Sequence, residues 1–243
     1  MGDTEEIAKA VQAVAQFGDK SVESAQKAGS FIARVFKAPI NEVSGIVHDK
    51  LRFVRWRRLL VMSEQVNRLL EERGVNETRA VPPKLALPIF EEATLEDDES
   101  LQSLWNQLLA NAMDPNFNGE LRYGFTEMIK NITGVEARLL SEFYDSMHRD
   151  GHLEDISQVT QRYFTKEQLM TALRIDESTY LVSAYNLMRM QCVGPAIIKG
   201  GIKMGPEPIT IYKGTDAITL TPLGVRFVEA CIAKDAANRP QKI

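Results

Sequence analysis

The sequence contains few of the residues that commonly form metal sites, disulfides or catalytic centres. Among 243 residues there are three histidines and two cysteines. Cys192 and Cys231 form no Cys-x-x-Cys pair, so we expect two buried thiols in a reducing compartment. His148 and His152 have the spacing of two zinc ligands on one helix face, but Gly151 lies between them and no third ligand accompanies them. We therefore expect neither a bound metal nor a disulfide.

Motifs for catalysis and for cofactor binding are also missing. No serine, cysteine or threonine lies in a recognisable setting beside a base that would activate it. The chain has no Gly-x-x-x-x-Gly-Lys phosphate loop and no Gly-x-Gly-x-x-Gly segment after a strand. We therefore predict no enzyme, no catalytic residue and no cofactor.

Long apolar segments are absent as well. No stretch approaches the roughly 18 uncharged apolar residues of a transmembrane helix. The chain begins with Asp3, Glu5 and Glu6 and not with the basic region of a secretory signal. These features predict a cytoplasmic protein.

The charge is distributed unevenly along the chain. The net charge is −4, so no overall basic excess indicates nucleic acid or anionic lipid as a partner. Residues 81–150 hold thirteen acidic and five basic side chains, a net of −8, while the segments on either side carry +2 each. An acidic middle with mildly basic flanks indicates attraction between parts of one chain.

Residues 1–38 are predicted to form an amphipathic helical segment rich in Ala and Gly. Small and apolar residues recur there at steps of three and four, and Pro39 follows. Small residues permit close approach of another helix, so we predict that this segment packs against protein and mediates self-association. A position at the inner face of the membrane is the alternative, although its acidic residues balance its basic ones.

Residues 39–150 are predicted to form a helical bundle. Helical runs cover about 41–73, 85–92, 94–113, 120–131 and 134–149. Gly74 suits the residue after a helix end, and Asp114-Pro115 would stop a helix. Thr94 with Asp97, and Thr133 with Glu136, have the spacing of capping boxes at helix starts.

Residues 151–243 are predicted to form a winged-helix-like α+β module. Two helices, from Thr165 to about Leu173 and from Asp176 or Ser178 to about Met190, precede a strand at 195–198. A segment rich in Gly and Pro then leads to a strand at 217–220 and a helix from Thr221 that has Pro222 in its first turn. Helix, helix, strand, loop, strand, helix is the order of a winged helix. The predicted fold is therefore mainly α, a helical bundle followed by this module.

The second helix of this module is poor in cations. Its polar residues include one basic side chain, Arg189, whereas a helix that contacts the major groove normally carries several. The following loop adds Lys199, Lys203 and Lys213, offset by Glu207 and Asp216. Protein contact is therefore favoured over DNA binding. The polar residues of the helix are Glu177, Ser178, Thr179, Ser183, Asn186 and Arg189.

A basic patch and an acidic edge are the candidate binding sites. The patch could contact nucleic-acid phosphates, or anionic lipid, or it could pair with the acidic edge inside the chain. We favour internal pairing because the opposite charges are similar in number. The basic patch comprises Lys50, Arg52, Arg55, Arg57 and Arg58, with Phe53 and Trp56 between them. The acidic edge comprises Glu91, Glu92, Glu96, Asp97, Asp98 and Glu99.

The stretch from Pro83-Lys84-Leu85 through Phe90-Glu91-Glu92 to Leu108-Leu109-Ala110 resembles the abortive-infection alpha (Abi-alpha) family of bacterial proteins. The resemblance is firmest over 82–113, and it continues in Leu220-Thr221-Pro222-Leu223-Gly224, Phe227 and Cys231. It implies defence against phage, in which infection is halted at the expense of the infected cell, and it supplies no catalytic residue. We predict a non-enzymatic defence protein that binds protein, itself included. A DNA-binding transcription regulator and a membrane-targeting effector are the alternatives.

Overall fold

The computed structural model describes residues 22–38, 56–149, 162–196 and 215–232. These residues form nine α-helices and one three-stranded antiparallel sheet, so the prediction of a mainly helical protein is confirmed. The chain divides into two compact units, Met1–Lys130 and Asn131–Ile243. Most of the predicted N-terminal stripe and most of the Gly- and Pro-rich loop lie outside the described residues.

The first unit contains five of the helices. The fourth packs against the second, third and fifth, and the second also packs against the first. The described part of the predicted N-terminal helix is therefore in contact with protein. The helices are α1 (Val22–Phe36), α2 (Trp56–Glu72), α3 (Pro83–Ala93), α4 (Glu99–Met113) and α5 (Gly124–Lys130).

Helix α2 ends where the sequence indicated. Gly74 has a φ of +70°, a conformation that a glycine adopts without a steric penalty. Its N–H donates to the carbonyl of Glu71 at 2.9 Å, and the N–H of Val75 donates to that of Leu70 at 2.9 Å. This pair of hydrogen bonds is the Schellman arrangement, which satisfies carbonyls at the helix end.

Aromatic side chains join α1 to α3 in the core. The rings of Phe31 and Phe36 each meet the buried ring of Phe90 edge-on, with centroids 6.1 Å apart. The N–H of Val81 also donates to the carbonyl of Val35 at 2.8 Å, just before α3 begins. Edge-to-face pairs of this kind stabilise a core beyond the area they bury.

The predicted capping box of Thr94 with Asp97 is wrong. Thr94 is buried and ends α3, because its hydroxyl donates to the carbonyl of Phe90 at 2.8 Å. Asp98 caps α4 instead, and its carboxylate accepts from the N–H groups of Ser100 and Leu101. The helix therefore begins at Glu99, five residues after Thr94.

The second unit combines four helices with the sheet. Helix α6 packs against α7, α8 and α9, so it belongs to this unit and not to the helical bundle predicted for residues 39–150. The predicted capping pair at its start is present, since Glu136 accepts from both the N–H and the hydroxyl of Thr133. In chain order the elements are α6 (Gly134–Arg149), β1 (Tyr163–Thr165), α7 (Lys166–Leu173), α8 (Glu177–Arg189), β2 (Val193–Pro195), β3 (Ala217–Leu220) and α9 (Pro222–Cys231).

The sheet has the order β1-β3-β2, with both pairs antiparallel. Strand β3 lies where it was predicted, while β2 begins at Val193, two residues before the predicted start. Strand β1 was missed. It has three residues, too few for alternation to be visible, and its last residue, Thr165, also caps α7 in a complete capping box with Gln168.

The junction between β3 and α9 requires a glycine. The hydroxyl of Thr221 accepts from the N–H of Gly224 at 3.0 Å, and the N–H of Thr221 donates to the carbonyl of Cys192 at 3.0 Å. A Cβ on Gly224 would lie 1.9 Å from that same carbonyl oxygen. Gly224 therefore lets the first turn of α9 contact the backbone that precedes β2.

We predict that Gly224→Ala destabilises the protein, because the added methyl group overlaps the Cys192 carbonyl oxygen. Overpacking of a well-packed region typically costs about 1–3 kcal/mol. The measurement is thermal unfolding followed by circular dichroism. Gly194→Ala is the matched control, since a Cβ there would meet Thr221 Cγ2 at an ordinary 3.8 Å. Equal Tm values for the two variants would contradict the prediction.

Candidate functional site

The structure describes two members of the basic patch. Arg58 forms an ion pair with Asp97 of the acidic edge, and the side chains are 41% and 73% exposed. The side chain of Arg57 is exposed, while Lys50, Arg52 and Arg55 lie outside the described residues. An exposed ion pair stabilises a protein by less than about 1 kcal/mol. Internal pairing of the patch as a whole therefore stays a prediction.

The acidic edge serves several local structures. Glu92 accepts from Lys130 at 3.0 Å, and this hydrogen bond and the attraction between the charges raise the pKa of Lys130. Glu96 accepts from the N–H groups of Asp97 and Asp98, both at 2.9 Å, which shapes the turn before α4.

The remaining members lie on the helices. Glu91 is half-buried on α3, and Glu99 is exposed in the first turn of α4, where the helix dipole favours an acid. Together with the cap at Asp98, these contacts give most of the edge a structural explanation.

A polar network lies inside the first unit, along α4. Every residue from Leu104 to Met113 is buried, including Asn106, Gln107 and Asn111. Arg73 donates to Asn111 Oδ1 at 2.8 Å, and Gln107 donates to the same oxygen at 3.2 Å. Asn106 donates to Gln65 on α2. No pattern in the sequence points to these amides, because they lie outside the apolar face formed by Leu101, Leu104, Trp105, Leu108 and Ala112.

Two arginines contact the C-terminal end of α4. Arg79 donates to the carbonyls of Ala112 and Asn111, at 2.9 and 3.2 Å. Arg73 lies 3.6 Å from the buried carboxylate of Asp114, the residue that ends the helix. The last carbonyls of a buried helix need partners, and Arg79 supplies them for Asn111 and Ala112.

The amide oxygens of Asn106 and Gln107 have no hydrogen-bond partner in the described part of the chain. The two residues are 3% and 4% exposed. A buried polar group without a partner costs about 1–3 kcal/mol. The network along α4 is therefore only partly satisfied by the residues that surround it.

We predict that Arg73→Met destabilises the first unit by about 2 kcal/mol, because it leaves the buried Asp114 carboxylate without its arginine. Chemical denaturation measures the loss. The control is Arg68→Met, whose side chain is 71% exposed and lies 4.0 Å from Glu72, so its effect should stay below about 1 kcal/mol. Similar losses for both variants would show that the buried network does not matter.

The inner side of α8 holds the second unit together. Asn186 donates to the carbonyl of Asn131 at 2.9 Å and to Glu136 at 2.8 Å. Tyr180 is buried, its hydroxyl donates to the carbonyl of Thr215 at 2.7 Å, and burial raises its pKa to about 12. Ser183 is also buried. Two polar residues considered for DNA contact, Ser183 and Asn186, thus face the protein.

The outer side of α8 is exposed and apolar at its centre. Val182 is 69% exposed and Tyr185 is 59% exposed. Ser178 and Arg189 are exposed as well, and all four fall within about 60° of the helix circumference. We call these four residues the α8 outer face. Its one cation, Arg189, donates to Asn186 on the same helix.

The two cysteines are buried free thiols, as predicted. Burial raises the pKa of Cys192 to about 12 and that of Cys231 well above its ordinary value. A thiol that stays protonated is a weak nucleophile and a poor metal ligand. Among the described residues, no group of three or more His, Cys, Asp or Glu is placed to hold a metal ion. No helix in the described ranges is long and apolar enough to cross a membrane.

We predict that neither thiol of the native chain reacts with an aromatic disulfide reagent at pH 8, while both react at once in denaturant. The ordinary thiol pKa is 9.0 and the folded value for Cys192 is about 12, so the unfolded chain releases this proton first. The contribution of Cys192 to stability is complete below pH 9 and is lost as the pH rises toward 12. Rapid reaction of a native thiol at pH 8 would contradict this.

A sequence model of the family described as Abortive infection alpha matches residues 57–231, well over half of the chain. The chain belongs to this family. No curated protein and no solved structure matches it. The matched region begins at Arg57 and so includes Arg57 and Arg58 of the basic patch. It ends at Cys231, the last residue of α9. Membership in Abortive infection alpha suggests a role in defence against phage.

Proposed function

We propose that this protein acts in abortive infection as a non-enzymatic binding protein, and that the α8 outer face binds a protein partner. The observation that carries the proposal is the exposure of Val182 and Tyr185 on α8. The opposite side of this helix is hydrogen-bonded to the rest of the second unit. Exposed aromatic and aliphatic side chains that lie together are typical of protein contacts. Family membership supplies the biological setting.

The arrangement of the second unit supports a winged helix. Helices α7 and α8 follow β1, and β2 and β3 pair antiparallel across the loop that would form the wing. In such a fold α8 takes the place of the helix that enters the major groove. The α8 outer face carries one cation at that place, whereas DNA-binding helices use several arginines and lysines. This composition favours protein as the partner in a winged-helix setting.

The proposal is tested by phage challenge of bacteria that express the chain. Val182→Glu places a charge in the centre of the α8 outer face, so phage plating should rise to the level seen without the protein. Because the side chain is exposed, the free energy of unfolding should change by no more than about 0.5 kcal/mol. The matched control is Val61→Glu, an exposed valine on α2, which should leave protection intact.

Two outcomes would count against the proposal. Full protection by Val182→Glu would remove the α8 outer face as the binding surface. Loss of protection by Arg189→Gln together with full protection by Val182→Glu would favour the DNA-binding alternative, because a phosphate or base contact depends on the cation and not on the valine.

A further inference from the structure

We infer that the α8 outer face binds the α8 outer face of a second copy of this chain, with the two helices antiparallel. The inference rests on the proposed function, because it names the protein that occupies this face. In this arrangement the two-fold axis lies midway along the face, at the level of the bond between Ser183 and Ala184. Val182 then lies opposite Tyr185 of the second copy, and Ser178 lies opposite Arg189 of the second copy.

The spacing of the face makes it self-complementary. Ser178, Val182, Tyr185 and Arg189 follow one another at steps of four, three and four, which is symmetric about the middle of the helix. Reversing the helix direction therefore places an aliphatic side chain on an aromatic one twice. An interface between identical surfaces requires this kind of symmetry.

Charge favours the antiparallel direction. The N-terminal end of α8 carries Asp176 and Glu177, and Glu177 binds Lys166 at 2.8 Å. Lys166 also lies in the field of Glu167 and Asp216, so this end has more carboxylates than the one lysine neutralises. The C-terminal end carries Arg189. Antiparallel copies place the arginine of each near the acidic end of the other, and their helix dipoles are opposed favourably.

The same composition argues against other occupants. A membrane surface attracts helices with a basic polar face, and this face has one basic residue. A parallel copy would place acid beside acid and arginine beside arginine.

One pair of helices buries less than the roughly 1,200–2,000 Å² of a stable interface. We therefore expect a dimer that forms and dissociates with protein concentration.

Site-directed cross-linking of the full-length protein tests the direction of the pair. Ser178→Cys and Arg189→Cys are prepared separately and as a mixture, and each sample is treated with a short bifunctional maleimide. The native thiols do not interfere, because both are buried. Residues 178 and 189 are about 16 Å apart along the helix. In an antiparallel dimer of one variant, the two introduced thiols are therefore far apart. In a dimer of Ser178→Cys with Arg189→Cys, they are close together.

We expect a covalent dimer in the mixture and little in either variant alone. We also expect Val182→Glu to weaken self-association of the otherwise unmodified chain by about tenfold or more in sedimentation analysis, as loss of a central anchor does. Val61→Glu, on α2, should leave the association constant unchanged. Equal folding of all variants is checked by circular dichroism.

The outcomes separate this inference from the proposed function. Efficient cross-linking of Ser178→Cys with itself would overturn the antiparallel pair. A monomeric chain at all concentrations, with phage protection still lost in Val182→Glu, would overturn self-pairing and leave a different protein as the partner. Cross-linking in the mixture, with protection unchanged in Val182→Glu, would support the pair and remove it from the defence function.

Discussion

The part of α4 from Leu104 to Met113 is buried, so its polar groups need partners inside the protein, and two arginines supply several of them. Arg73 binds Asn111 and the carboxylate of Asp114, while Arg79 binds the carbonyls of Ala112 and Asn111. These contacts permit α4 to occupy the middle of the first unit, in contact with α2, α3 and α5. Three members of the acidic edge, Glu96, Asp97 and Asp98, form the turn that leads into α4, so the position of α4 determines theirs.

The second unit is organised around a backbone contact of a different kind. The carbonyl of Cys192 accepts from Thr221, and the first turn of α9 approaches it so closely that only glycine fits at position 224. This contact links the end of β3 to the residues before β2 and aligns the sheet with α9. The glycine in the later segment of the family resemblance, Leu220 to Gly224, thus has a steric explanation.

Sequence reasoning succeeded where a short local pattern decides the structure. The helix starts at Thr165 and Thr221 and the helix end at Gly74 follow from neighbours within a few residues. It failed at Thr94, because Thr94-x-x-Asp97 and the true cap at Asp98 are equally good locally. The distinction depends on contacts across the fold, the pairing of Asp97 with Arg58 and the burial of Thr94. The exposure of Val182 and Tyr185 was also missed, since apolar residues at helical spacing usually indicate a core.

The two sides of helix α8 have different roles. Tyr180, Ser183 and Asn186 face inward and hold the helix in the second unit. Val182 and Tyr185 face outward and contribute little to that attachment. Substitutions on the outer side therefore leave the scaffold intact. The outer side can therefore change in sequence through one or two codons without first requiring a more stable protein.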